Sequence, residues 1–482
     1  VIKGIKMLLW MVVITLSIWA LAIFYWKVTY HNPSNSDVVS FLIVAPLALL
    51  LFVFVVNSAS SYMLRPKVGS SVVAEIEERG GKVKLESEVA TSRDWVLSAA
   101  FGQLVTLHGE SVADLAAAMT KKETKFALDS ELMDTEGFPL MSARITDLDI
   151  AGTFDAFSEW MGEQKLVDES VVNWLVEDKR TIHLAYTVFS ALIRTLLSQD
   201  HVAELLANHL NDHKNTLPNI YLVNSVPEHW SPKQKALLSS WLSDEISRQG
   251  WPEACVLSIP LMLEGLNAWE ILDGINVQIH QSDKLGIYVV TSAQSYLGER
   301  TFAEYEANGK LLTNQNKNGS VYGEASAGLL VIDDRLAVNF EGNTVVQLHR
   351  AAMLRRDKSA DATGKIGPDL LLDVIKDALA VSAVDAAAIK VVAADTDARV
   401  SRVTEFFSAI NMALPEVDAE QGCLKLQERC GMVGVAAGLA SLVYAMDKVA
   451  TDQTPALWVS NTDSFNRCAL VVSPYNNKAN SL

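Results

Sequence analysis

The chain opens with two unbroken apolar runs and then changes character, alternating apolar stretches of strand length with amphipathic stretches of helical length. Residues 7–26 and 38–56 contain no charged side chain. At about 1.5 Å of rise per residue, each run can cross a hydrocarbon layer of about 30 Å as a helix. Pro46 inside the second run is tolerated there, because neighbouring groups can satisfy the freed carbonyl. A short polar turn, 27–37, joins the two. Lys3, Lys6, Arg65 and Lys67 flank the pair and only Lys27 lies between them, which predicts both termini in the cytoplasm. A cleaved signal peptide shares the basic start and the first run, but it does not explain the second. Residues 1–67 therefore read as a two-helix anchor in the bilayer, and 68–93 as a linker or hairpin turning at Gly80 and Gly81.

Beyond that linker the alternation predicts an α/β domain. Residues 96–109 read as a buried strand and turn, followed by a helix over 111–122 capped by Ser111, with Asp114 in its first turn. Residues 180–210 read as strongly helical. A strand over 219–226 leads to a helix opened by Ser231 and Pro232 and closed by Gly250. Further strands are predicted at 255–263, 285–292, 389–396, 456–461 and 468–474, with helices at 266–276, 368–383 and 433–450. The second half repeats the plan of the first.

Charge and composition exclude several roles. A net charge of −17 argues against nucleic acid, which needs clustered Lys and Arg, and against a peripheral grip on anionic lipid. Cys255, Cys423, Cys430 and Cys468 have no CxxC spacing and fit reduced, buried thiols. His201, His209 and His213 fall on one helix face near Glu204, which reads as a solvated face rather than a metal site. No Walker loop, GxGxxG, HExxH or GxSxG motif appears, so no nucleotide, metal or other cofactor is expected.

Several segments carry a resemblance. Residues 301–333 contain Gly323, Glu324, Ala325, Ser326, Ala327 and Gly328 after a polar loop and before an apolar strand. This is similar to the Gly-Glu-Gly-Ala-Gly stretch of β-ketoacyl synthases in the thiolase superfamily. Residues 99–128 resemble the first strand, turn and helix of the same enzymes. The resemblance covers about 94–473, with halves dividing near 355 and a tail at 474–482. It implies a thiolase-like fold of duplicated α/β/α/β/α layers behind two transmembrane helices. The GEASAG stretch also admits a plainer reading, a bend of small residues serving close packing.

Matched position by position, the family's chemistry is missing. Gly265 matches the glycine after the nucleophile, which puts Met262 where a cysteine belongs; a thioether cannot form a thioester. In the first histidine pattern, Val391 to Asp397 places Ala394 at the histidine, with Asp395 and Asp397 where glycines stand and Glu405 at the later glutamate. In the second, Gly431 and the helix start Val435–Gly438 place Met432 at the histidine and Gln427 at the lysine. The glycine loop has become Asn461 to Arg467. The resemblance thus implies a pseudoenzyme with no catalytic residues, degenerate at Met262, Ala394, Met432 and Gln427. It further implies a homodimer, and a protein partner such as an effector or component of bacterial type VI secretion, met from the inner membrane. The alternatives are an active acyltransferase or condensing enzyme, and a structural subunit of a membrane complex.

Overall fold

The computed structural model describes residues 93–121, 125–164, 173–211, 217–259, 267–337, 339–340, 345–362, 364 and 366–476. The two apolar runs, the linker up to residue 92, His213 and Met262 lie outside the described residues. Among the described residues, no single helix is long and apolar enough to cross a membrane.

Thirteen strands form the sheet system: β1 (Leu97–Val105), β2 (Ala127–Met133), β3 (Pro139–Ala143), β4 (Asn219–Ser225), β5 (Val256–Ser258), β6 (Gly286–Ser295), β7 (Tyr322–Ile332), β8 (Val346–Leu348), β9 (Ala352–Arg355), β10 (Val391–Ala394), β11 (Cys423–Lys425), β12 (Ala456–Ser460) and β13 (Asn466–Pro474). The helices are α1 (Val112–Lys121), α2 (Ile150–Glu163), α3 (Val176–Leu197), α4 (Asp200–Asn211), α5 (Pro232–Arg248), α6 (Ala268–Gln281), α7 (Glu299–Ala307), α8 (Asp369–Ser382), α9 (Val400–Ala413), α10 (Leu426–Cys430) and α11 (Ala436–Asp452).

The strand order is β11-β10-β12-β13-β8-β1-β7-β6-β4-β5, and it contains one pattern twice. In the first half β1, β7 and β6 are antiparallel neighbours, and β4 and β5 continue parallel to β6. In the second, β8 with β9, β13 and β12 are antiparallel, and β10 and β11 continue parallel to β12. The order of helices repeats too, with α3, α5 and α6 answered by α8, α9 and α11. Antiparallel pairing of β1 with β8 joins the halves.

Every layer follows from strands buried on both faces. In β7, Ala325, Ala327, Leu329 and Val331 point into the central core with α6 and α11, while Leu330 and Ile332 point into the outer core with α2, α3 and α5. In β12, Ala456 and Trp458 face the same central core, and Leu457 and Val459 face α8 and α9. A period of two with both faces apolar gives continuous apolar runs, which is why these segments read as buried strands. Small residues set the spacing. A Cβ on Gly328 would lie 2.8 Å from Leu192 and Val188 of α3, and one on Gly438 of α11 would lie 3.2 Å from Ala268 of α6.

Two expectations are refined. The helical stretch over 180–210 is broken at Ser198 and Gln199 into α3 and α4, which bend by 77°. Gln199 closes the first helix with its N–H on the Leu196 carbonyl and starts the second by accepting from Val202 and Ala203. The strand expected at 255–263 is described only at Val256–Ser258, since Glu253–Cys255 form a helical turn and 260–266 lie outside the described residues. Ser111 caps α1 as expected, its Oγ accepting from the Asp114 N–H, and Ser231 and Gln234 form a reciprocal capping box on α5.

His349 sits just after β8, at the seam between halves, where its Nε2 lies 2.9 Å from Ser473 Oγ. Burial pushes its pKa down to about 4, below the ordinary 6.5. The unfolded chain therefore binds a proton near 6.5 that the folded chain refuses until about 4. Its stabilising contribution is complete above pH 6.5 and is lost as pH falls through that window. The loss is at most about 3 kcal/mol, and partial exposure lowers it towards about 1. Denaturation of His349→Gln at pH 7 and pH 4.5 checks this: the variant is expected to lose less stability on acidification than the parent.

Candidate functional site

Strands β10 and β12 run parallel with Ala394 beside Val459, and both end at one rim of the sheet, where α10 and the start of α11 close in. The carboxyl ends of parallel strands are where α/β folds place their chemistry. Two of the described family-like positions lie at or beside this rim, Gln427 tied to the end of β10 and Met432 just before α11.

Ala394 is fully buried, and its methyl lies in the outer core with α8 and α9, not on the rim. Gln427 serves the backbone. Its Nε2 donates to the Asp395 carbonyl at 2.8 Å, and its Oε1 accepts from the Val433 N–H at 3.0 Å. It thereby ties the end of β10 to the start of α11. Between them Gly431 holds φ +73°, a conformation favouring glycine, and Met432 is pinned by its backbone to Val321 and Gly323. The Met432 side chain, like Tyr296 and Tyr305, packs against a small buried cluster that includes Leu297, Phe302 and Tyr322. Tyr296 meets Tyr322 edge to face with ring centres 5.2 Å apart, and Tyr305 lies tilted against Tyr322 with centres 4.6 Å apart. Burial pushes the Tyr322 phenol up to about 12 and raises that of Tyr296 further, so both stay protonated at neutral pH.

The two aspartates matched to glycine positions are both engaged by neighbouring donors. Asp395 is buried, and its carboxylate accepts from Ser460 Oγ at 2.5 Å, Asn461 N at 3.0 Å and Thr462 Oγ1 at 3.0 Å. Burial raises its pKa and these three donors oppose the rise. Asp397 is fully buried against Arg399, whose Nη2 lies 2.6 Å from its carboxylate. Arg399 also reaches Asp361 and the Thr462 carbonyl.

The altered glycine loop gains a function in the fold. Arg467 is fully buried and donates from Nε to both Glu405 oxygens, at 2.9 and 3.0 Å, while Arg356 reaches the same carboxylate at 2.7 Å. Arg402, one turn from Glu405 on α9, bonds the Ala360 carbonyl and Asp361. The loop that the sequence presents as lost glycines is thus an interlocked set of guanidinium and carboxylate pairs. Sequence reasoning missed this network, although Arg467 at a glycine position and Arg399, Arg402 and Glu405 on one short stretch were its signal.

Glu324 in the GEASAG stretch is structural as well. It is fully buried in β7 and accepts from Arg180 Nε (2.7 Å) and Nη2 (2.5 Å), Ser295 Oγ (2.9 Å) and the Ile145 N–H (2.9 Å). The stretch is straight strand rather than a bend, and its small residues allow close packing. Glu270, which sequence reasoning also passed over, caps the start of α6 through the Asn267 N–H and is raised in pKa by burial. Cys423 and Cys430 are buried, with their thiols pushed up to about 12 by burial, and burial also raises that of Cys468 well above the ordinary thiol value. Thiolates, the reactive form, are therefore not populated at neutral pH. His201 packs edge-on against Phe340.

No family model matches the chain, and no curated protein matches it. Solved structures do. The ishigamide ketosynthase/chain length factor superposes with a TM-score of 0.51 at 13% identity, covering 79% of this chain and 99% of its own. A ketosynthase bound to a hexaketide, from a type II polyketide synthase complex with its acyl-carrier protein, gives a TM-score of 0.50 at 12% identity, covering 79% of this chain and 100% of its own. The ketosynthase from module 6 of the bacillaene synthase of Bacillus subtilis 168 gives 0.51 at 11% identity, covering 79% and 72%. Together with the repeated sheet pattern and its layers, this likeness establishes that the chain carries a thiolase-type, ketosynthase-like α/β fold.

Proposed function

We propose that this protein is a membrane-anchored, noncatalytic ketosynthase-fold protein that acts by binding another protein. One observation carries the reading. At the described positions where a ketosynthase needs donors, Ala394 is core, Met432 packs on the cluster of Leu297, Phe302 and Tyr322, and Gln427 is spent on two backbone groups. None of the three offers an ionisable group to a substrate, and Met262, at the nucleophile position, has no ionisable proton. The two apolar runs supply the anchor, with the large domain in the cytoplasm at a bacterial inner membrane. A homodimer and a role in loading or assembling type VI secretion effectors extend the proposal by analogy of fold. Incubation of the full chain with acyl-CoA and acyl-carrier thioesters tests the proposal. Thiol release no faster than in buffer is expected, and release above that background overturns it.

A second reading, an acyltransferase or condensing enzyme at the membrane, is favoured by the likeness to ketosynthases. Thioester turnover by the full chain would establish this reading, with a nucleophile other than the buried Cys430, whose thiol is pushed up to about 12.

A further inference from the structure

Hairpin β2–β3 shows large apolar side chains to solvent. On its inner side Leu132 and Leu140 are buried in an apolar cluster with Phe302 and Tyr322, and Asp129 is buried and accepts from Ser142 Oγ at 2.7 Å and from Arg144 Nε and Nη2 at 2.8 and 3.0 Å. A register shift between Leu128 and Met133 leaves both exposed, opposite Met141 and Pro139, with Phe138 at the tip. Leu128 is 64% exposed, Phe138 54% and Met133 48%. Three large apolar side chains exposed on one hairpin, beyond those it buries, mark a face that something covers.

Three further features say what. Among the described residues β2 pairs only with β3, which leaves its other edge able to accept a strand. The tip is held rigid: Asp134 Oδ1 accepts from the Glu136 and Phe138 N–H groups, and Thr135 donates twice to Glu306. Preformed edges of this kind take a partner strand at little ordering cost. Asp134, Glu136 and Glu306 stand around the apolar tip, and the Arg144 guanidinium is engaged by Asp129 and Glu131. Acidic groups repel both anionic lipid and a second copy of the same tip.

We propose that the outer face and free edge of β2 are a docking site for an extended segment of another protein, one that alternates apolar side chains with Lys or Arg. This rests on the reading that the protein works by binding. The test uses the full chain in detergent and a synthetic peptide of about ten residues alternating Val and Lys, carrying one benzophenone. Photo-adducts are expected within residues 127–141, and the double variant Leu128→Ser, Phe138→Ser, which leaves charge unchanged, is expected to bind about tenfold more weakly. Adducts elsewhere, undiminished binding by the variant, or equal binding of a Val and Glu peptide would overturn the assignment. So would a dimer that the same double variant splits, which gives the face to a second copy. A benzophenone at position 138 that reacts with lipid in phosphatidylethanolamine and phosphatidylglycerol vesicles would give it to the bilayer. Thioester turnover would defeat the binding reading itself and leave the mapped peptide contact to be judged separately.

Discussion

Glu324→Ala is expected to lower the unfolding free energy by about 3–5 kcal/mol, the effect of leaving a buried partner charge uncompensated. Glu324 collects four hydrogen bonds, two of them from Arg180, and neither side chain has more than slight contact with solvent. Removing the carboxylate strands the guanidinium of α3 against β7 and also orphans the Ser295 hydroxyl and the Ile145 N–H. The expected readout is a large drop in the urea midpoint of the purified full chain with its m-value unchanged. A double variant, Arg180→Met with Glu324→Leu, separates burial of charge from loss of packing. It is expected to recover most of the lost stability, because a hydrophobic pair of similar volume often equals a buried ion pair. A midpoint within experimental error of the parent for Glu324→Ala alone would mean that the pair is not buried in solution.

The layers of the fold were readable because their cause is local. Strands buried on both faces give unbroken apolar runs, as at 285–292 and 456–461, and the small residues of 433–450 foretold a helix in close contact with its neighbours. The break between α3 and α4 was not read, because neither glycine nor proline marks it; its signal was the run of four polar residues 198–201, with Asp200 in the first turn of α4. Side-chain roles at the rim were harder still. Replacement of glycine by Asp397 and Arg467 reads in sequence only as a loss, and the partners that make it a gain, Arg399 and Glu405, are brought to it by folding. Pattern matching can say which atoms are missing from a site. It cannot say what the substituted atoms have been recruited to do.

That distinction can be tested at Ala394. If the position still faced a reaction centre, Ala394→His would refill an old socket and change stability by less than about 1 kcal/mol. The structure predicts otherwise. The methyl lies in the fully buried cluster with Phe406, Ile410 and Val459, beneath α8 and α9, so an imidazole there overpacks the core and buries two ring nitrogens without partners. Overpacking costs about 1–3 kcal/mol and each unsatisfied polar group about 1–3 more, for an expected loss of about 3 kcal/mol or more. Met432→His is the contrasting case. Its side chain is only partly buried, packed against the cluster that includes Tyr322, so the same change of chemistry is expected to cost less than half as much. Urea midpoints of the two variants, measured side by side with thiol release from acyl thioesters, decide between the accounts. A stable Ala394→His that begins to turn over thioester would show that the rim keeps the geometry of a catalyst and lacks only its side chains. An unstable Ala394→His beside a tolerated, inert Met432→His would show that β10 has been repacked from within, and a scaffold rebuilt at that depth is one whose shape, not its reaction, has been under selection.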